Sequence, residues 1–234
     1  MPSTNDKIVG RLAERERLEQ ILASQEAELV AVYGRRRVGK THLIREFFEP
    51  RATSAPSSRS VVFLDELPWL STRRSMLLQT LDQYWNTRLC RIRSLRFIVC
   101  GSAASWMLDK LVHAKGGLHN RITRRLQLLP FGLAETQEYL ASRQHRWNRR
   151  QVLELYLALG GIPHYLRLVE RRHSAAQAVG SLCFDRAGEL HEQERTKTRK
   201  QVRLVPVCPG GMKRSIWSED LSAVVIDDSA LFAH

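Results

Sequence analysis

Long apolar runs are missing from this sequence of 234 residues. No stretch approaches the roughly 18 apolar residues that a membrane span needs. The opening residues, Met1-Pro2-Ser3-Thr4-Asn5-Asp6-Lys7, also lack the apolar core of a signal peptide. These two absences predict a cytoplasmic chain. Paired cysteines are missing as well, because Cys90, Cys100, Cys183 and Cys208 lie far apart and form no CxxC. The spacing argues against a zinc site and against a disulfide framework, leaving small buried or incidental thiols in a reducing compartment. His113, His119, His164 and His173 show no metal-ligand spacing and are expected on the surface or in the core. Acidic residues are scarce, with 24 Asp and Glu against 37 Lys and Arg, for a net charge of +13. That balance fits a polyanionic partner, nucleic acid first. The other reading is arginine spread over helix surfaces. The basic runs at 143–150 and 195–203 are local, and neither interleaves aromatic residues in a stacking pattern.

What is present is an ordinary globular composition, 43% hydrophobic, with length for one domain or one and a half. Leu12, Leu18, Ile21 and Leu22 recur at near-helical spacing over 11–24. The run Glu28-Leu-Val-Ala-Val-Tyr33 is almost continuously apolar and meets Gly34 at once, which predicts a buried parallel strand. A helix follows over 40–49, with Leu43, Ile44, Phe47 and Phe48 on one face and Pro50 as its stop. Residues 51–59 read as a loop. Further strands are expected at 60–65, 96–100 and 125–129, with helices at about 73–87 and 103–112. Alternation of apolar strands with helices predicts an α/β sheet covered on both faces. Beyond Pro130 the pattern turns helical, at about 133–142, 149–159, 163–171 and 174–184. Residues 186–201 read as a linker or exposed helix, and 202–207 and 223–226 as two strands around a turn at 209–211.

The chemistry concentrates at Gly34-Arg35-Arg36-Arg37-Val38-Gly39-Lys40-Thr41, which fits G-x-x-x-x-G-K-[ST] at every fixed position. Glycines let such a loop curl until its N–H groups face phosphates, and the helix that begins there adds its dipole to the anion site. Lys40 is expected on the β and γ phosphates, and the Thr41 hydroxyl on Mg²⁺. His42 completes the predicted phosphate-binding segment. Val61-Val-Phe-Leu-Asp65-Glu66 has the form of a Walker B strand. Asp65 would hold the magnesium through water, and Glu66 would orient or deprotonate an attacking water.

Two further residues are weaker candidates. Ser102, after the strand at 96–100, could sense the γ-phosphate or position water, or simply cap the next helix. Arg121 could supply positive charge to the transition state, in cis or across an oligomer, or serve as a surface salt-bridge residue. Gly160-Gly161-Ile162-Pro163 breaks one helix and opens another.

Taken together, these residues resemble the bacterial and archaeal AAA-like P-loop ATPases related to the signal-transduction (STAND) NTPases. The match runs through Val9-Gly10-Arg11, Val32 to Thr41, Leu64-Asp65-Glu66-Leu67-Pro68-Trp69 and Cys100-Gly101-Ser102-Ala103. It continues through Gly116-Gly117-Leu118 with Arg121, Pro130-Phe131, and Gly160 to Leu166, covering roughly residues 8–185. The resemblance implies ATP and Mg²⁺ as ligands and a switch-like ATPase. It also implies that Pro163 sits by the adenine, and that Val9, Gly10 and Arg11 close the base pocket from the other side. No guanine-reading N/TKxD element is seen, and the motif alone does not separate ATP from GTP.

The sequence departs from that family in two places. Lys40 and Asp65 are only 25 positions apart, which leaves no room for the extra strand and helix that relatives carry there. The expectation is a reduced sheet of four parallel strands in the order 125–129, 28–33, 95–100, 60–65, with a freed edge. Residues 202–232 resemble the end of a C-terminal nuclease-like region whose body, with its Asp…Glu-x-Lys constellation, is absent. The expected organisation is a P-loop ATPase core over 1–131, a helical subdomain over 132–185, and a linker with a C-terminal remnant over 186–234. The leading function is an ATP-binding protein with Mg²⁺-dependent ATPase capability. Its rivals are a non-catalytic nucleotide-binding or interaction module and a DNA-associated ATPase.

Overall fold

A computed structural model of the chain describes residues 8–54, 60–72, 74–102, 104–107, 109, 111 and 117–190. The strands expected at 202–207 and 223–226, the turn at 209–211, most of the linker at 186–201, and Ala103, His113, Gly116 and Cys208 lie outside the described residues. The chain divides between Pro130 and Phe131 into two compact units.

The first unit is built on four parallel strands: β1 (Glu28–Gly34), β2 (Ser60–Leu64), β3 (Leu95–Gly101) and β4 (Arg124–Leu128). Their order is β2-β3-β1-β4, the order expected from sequence. β1 is central and buried at every position, so its alternating side chains feed two cores. Leu29, Ala31 and Tyr33 join Leu81, Trp85, Phe97, Val99 and Met107 on one face. Val30 and Val32 join Leu18, Ile21, Leu43, Ile44, Phe47 and Leu126 on the other. Helices α1 (Leu12–Ala23) and α2 (Lys40–Ser54) therefore cover one face. The opposite face is covered by α4 (Leu77–Thr87) and α5 (Ala104–Met107), while α3 (Leu67–Leu70) is a single turn directly after the acidic pair.

Pro50 does not stop α2, which runs on to Ser54 with the proline inside it. An internal proline forfeits one backbone bond and costs about 3 kcal/mol. Burial of Phe47 and Phe48 holds that turn to the core. Arg51 also stacks 4.0 Å over the Phe47 ring and donates to the Phe47 carbonyl at 2.7 Å. The helix expected from about 73 begins only at Leu77, because Met76 adopts a left-handed conformation with φ 46° and interrupts the chain there.

One buried charge organises the base of the sheet. Arg96 on β3 is fully buried and donates to the carbonyls of Ile21 at 2.6 Å, Glu26 at 3.0 Å and Arg93 at 2.9 Å. It also reaches the Leu22 and Ser24 carbonyls, so it gathers the orphaned acceptors at the C-terminal end of α1.

The second unit packs α6 (Leu133–Ser142), α7 (Arg149–Leu159), α8 (Pro163–Arg167) and α9 (Ala175–Val179) around Phe131, Leu140, Val152, Leu155, Leu159 and Leu166. Asn148 and Gln151 form a reciprocal cap that starts α7, and Gly160 in the left-handed region ends it. The last two helices are shorter than the periodicity predicts. The chain leaves α8 after Arg167, and α9 passes into a wider turn over Gly180–Phe184.

Candidate functional site

The candidate site lies where β1, β2 and β3 end together on one edge of the first unit. β1 delivers Gly34, residues 35–39 form the loop, and α2 starts at Lys40. Gly34 is required sterically, since a Cβ there would stand 2.1 Å from the Leu128 carbonyl oxygen of β4. Gly39 has open space but a φ of 91°, which a side chain would strain. Arg37 also turns through the left-handed region, with φ 70°. Arg35, Arg36, Arg37 and His42 are exposed, while Val38 is buried against the core under the loop.

Lys40 is 5% exposed, and its ammonium donates to the carbonyls of Gly34 at 3.1 Å and Arg35 at 3.0 Å. The loop thus carries its own cation at its mouth. Thr41 Oγ1 donates to Asp65 Oδ2 at 2.8 Å, which joins the loop to the acidic end of β2. The other oxygen, Asp65 Oδ1, accepts from the Glu66 N–H at 2.9 Å. A hydroxyl and a carboxylate this close form a hard-oxygen pair. Such a pair suits Mg²⁺, which takes one or two protein oxygens and fills its shell with water and phosphate oxygens.

Glu66 sits in the left-handed region with φ 49°. Its Oε2 accepts from both the Ser102 backbone N–H at 3.2 Å and the Ser102 hydroxyl at 2.9 Å. Ser102 is therefore brought to the site, facing the carboxylate. Arg36 donates to the same hydroxyl at 3.4 Å and lies 5.7 Å over the Trp69 ring. Below them, the buried Cys100 thiol is pushed up to about 12, mainly by burial and then by the neighbouring Asp65 carboxylate. That direction favours the neutral S–H beside Asp65.

Four contacts carry no mark in the sequence motifs: Cys100 to Asp65, Arg36 to Ser102, Arg36 to Trp69, and Arg11 to Val38. The position of Cys100, two residues before Ser102 on a strand beside the acidic one, was the available signal for the first. The others depend on loop conformation. Val9 is half-buried, and Gly10 and Arg11 turn through successive left-handed conformations with φ 62° and 59°.

Arg121 is not brought to the loop. It precedes β4, whose first residue, Arg124, pairs with Val30, whereas the loop begins after Gly34, about 13 Å further along the strand. Pro163 opens α8 within the second unit. Among the described residues no group of three or more His, Cys, Asp or Glu side chains is arranged to hold a metal, and no helix is long and apolar enough to cross a membrane.

No protein-family profile matches the chain. It is 24% identical over 197 residues to the uncharacterized protein MJECL04 of Methanocaldococcus jannaschii, a match covering 69% of this chain and 44% of that protein. The chain thus spans less than half the length of the curated relative it matches. Among solved structures it is similar to the Walker-type ATPase PABY2304 of Pyrococcus abyssi, with a TM-score of 0.59, 18% identity, and 85% and 80% of the two chains covered. It is also similar to domain III of the Thermotoga maritima replication initiation protein DnaA, with a TM-score of 0.50, 14% identity, and 69% and 82% covered. A third likeness is to the ORC2 protein of Aeropyrum pernix in its ADPNP–ADP complexes, with a TM-score of 0.50, 16% identity, and 83% and 65% covered. The parallel sheet with its glycine loop and acidic strand end has the fold of the P-loop, Walker-type ATPases.

Proposed function

We propose that the chain binds ATP with Mg²⁺ through residues 34–41 and hydrolyses it, acting as a nucleotide-dependent switch. The observation that carries this reading is the 2.8 Å bond from Thr41 to Asp65, which unites the loop threonine and the strand-end carboxylate at one point. Lys40 leaves the Gly34 and Arg35 carbonyls for the β and γ phosphates, a stronger partner for an ammonium than a neutral carbonyl. Thr41 and Asp65 hold Mg²⁺, directly and through water. The cation supplies charge neutralisation as phosphoryl oxygens develop charge. Glu66 orients the attacking water after exchanging its Ser102 contacts for that water. Arg121, set away from the loop of its own chain, acts only if a second copy presents it. The ADPNP–ADP complexes of the structurally similar Aeropyrum pernix protein support adenine as the base.

Calorimetric ATP binding and phosphate release test this reading. Lys40→Ala should weaken Mg-ATP by roughly 10- to 100-fold, the worth of one or two bonds to a charged group. Glu66→Gln should keep the affinity and lose turnover. Equal turnover in wild type and both variants removes the enzymatic claim, and Mg-ATP stabilisation without turnover selects the non-catalytic module instead.

The net charge of +13 favours a second reading, in which the ATPase works on nucleic acid. DNA affinity measured by anisotropy should then fall steeply with salt. Absence of binding at low salt eliminates it.

A further inference from the structure

We propose that Arg11 is a positioning residue of the phosphate loop, holding the Val38–Gly39 peptide so that its N–H is presented to phosphate. The inference rests on the nucleotide-binding reading above. Arg11 is 5% exposed, and a guanidinium so buried requires partners on its donors. One arm, Nη2, donates to the Val38 carbonyl at 3.1 Å across 27 positions of sequence. The other, Nη1, pairs with Glu14 Oε1 at 3.2 Å, and Glu14 lies in the first turn of α1. The guanidinium is thus tied to a helix and grips the loop.

The peptide it grips leads into a glycine. Gly39 has a φ of 91°, a conformation open to glycine, and lacks a Cβ that could pack and hold its backbone. In a trans peptide the carbonyl and the N–H point in opposite directions. Fixing the Val38 oxygen on Arg11 therefore fixes the Gly39 N–H pointing the opposite way within the same plane, and a phosphate loop binds its ligand through N–H groups of this kind. Backbone strain accompanies the arrangement. Arg11 takes a left-handed conformation, φ 59°, that costs a non-glycine residue about 1 kcal/mol, and it follows a left-handed Gly10. These two turns bring the buried side chain back to the loop.

Comparison of Mg-ATP with Mg-tripolyphosphate, which has no base or sugar, separates this role from base recognition. Arg11→Met should weaken both ligands by the same factor, roughly tenfold or more, as expected when an anion-binding group loses its orientation. Arg11→Lys, which keeps one donor, should recover part of both losses. Should Arg11→Met fail to melt cooperatively, the lysine variant and Glu14→Gln carry the comparison, each weakening the two ligands in parallel by a smaller factor. A merely structural role would lower the melting temperature and leave the affinities of the folded protein unchanged. Loss confined to ATP assigns Arg11 to the nucleoside and overturns the proposal, as does unchanged affinity for both ligands. Wild type that binds neither ligand overturns the nucleotide reading itself, and this inference with it.

Discussion

β1 and β2 carry the two halves of the candidate site, and they are held in the fold very differently. β1 is buried at all seven positions, has a strand on each side, and ends in the glycine loop. β2 pairs with β3 alone, leaves Val61 and Val62 more than a third exposed, and ends in Asp65 and Glu66. The glycine-loop half, proposed to bind phosphate, rests on the centre of the sheet and the acidic half on its edge. Binding should therefore tolerate disturbance that hydrolysis does not. The bonds from Thr41 to Asp65 and from Ser102 to Glu66 are what tie the edge strand's acids to the centre.

The largest expected effect tests that division directly. Glu66→Gln should reduce single-turnover phosphate release by about 10²-fold or more while changing ATP affinity by less than about threefold. A matching loss of affinity would mean that the two halves act as one. The next effect concerns the base of the sheet. Arg96→Met leaves the Ile21, Glu26 and Arg93 carbonyls without their donor and should cost about 3 kcal/mol or more in urea unfolding. Within the strands, Val32→Ala should cost about 2–3 kcal/mol and Val62→Ala less than about 1 kcal/mol. Equal costs would mean that β2 is covered in solution by something beyond the described residues.

The smallest effect falls in the helical unit. His145 is buried with neither ring nitrogen hydrogen-bonded, and its edge meets Trp147 at 5.1 Å. Burial, then the charges of Arg143 and Arg171, lower its affinity for a proton in the folded state. The unfolded chain then binds the extra proton, so stability is complete above the ordinary histidine value of 6.5 and declines as the pH falls below it. The slope is at most about 1.4 kcal/mol per pH unit. Urea unfolding between pH 7 and 5 should show this decline, and His145→Phe should flatten it.

Much of the fold was legible because it depends on local pattern. The apolar run before Gly34 and the break at Gly160-Gly161-Ile162-Pro163 each act within a few residues. Local pattern of this kind yielded the strands and the two helices at 133–142 and 149–159, while the strand order followed from the family resemblance. Pro50 misled because burial of Phe47 and Phe48, a tertiary effect, outweighs the local cost of a proline. The start of α4 misled because the left-handed turn at Met76 leaves no compositional trace.

By itself the sequence located the glycine loop and the acidic strand end, because spacing and residue type are enough to mark both. The tertiary structure alone decided what those groups touch. It set Thr41 against Asp65, Ser102 against Glu66 and Arg11 against Val38, and it set Arg121 apart from the loop of its own chain. Side-chain contacts between residues 24 to 36 positions apart depend on strand register and loop dihedrals, which no local pattern encodes.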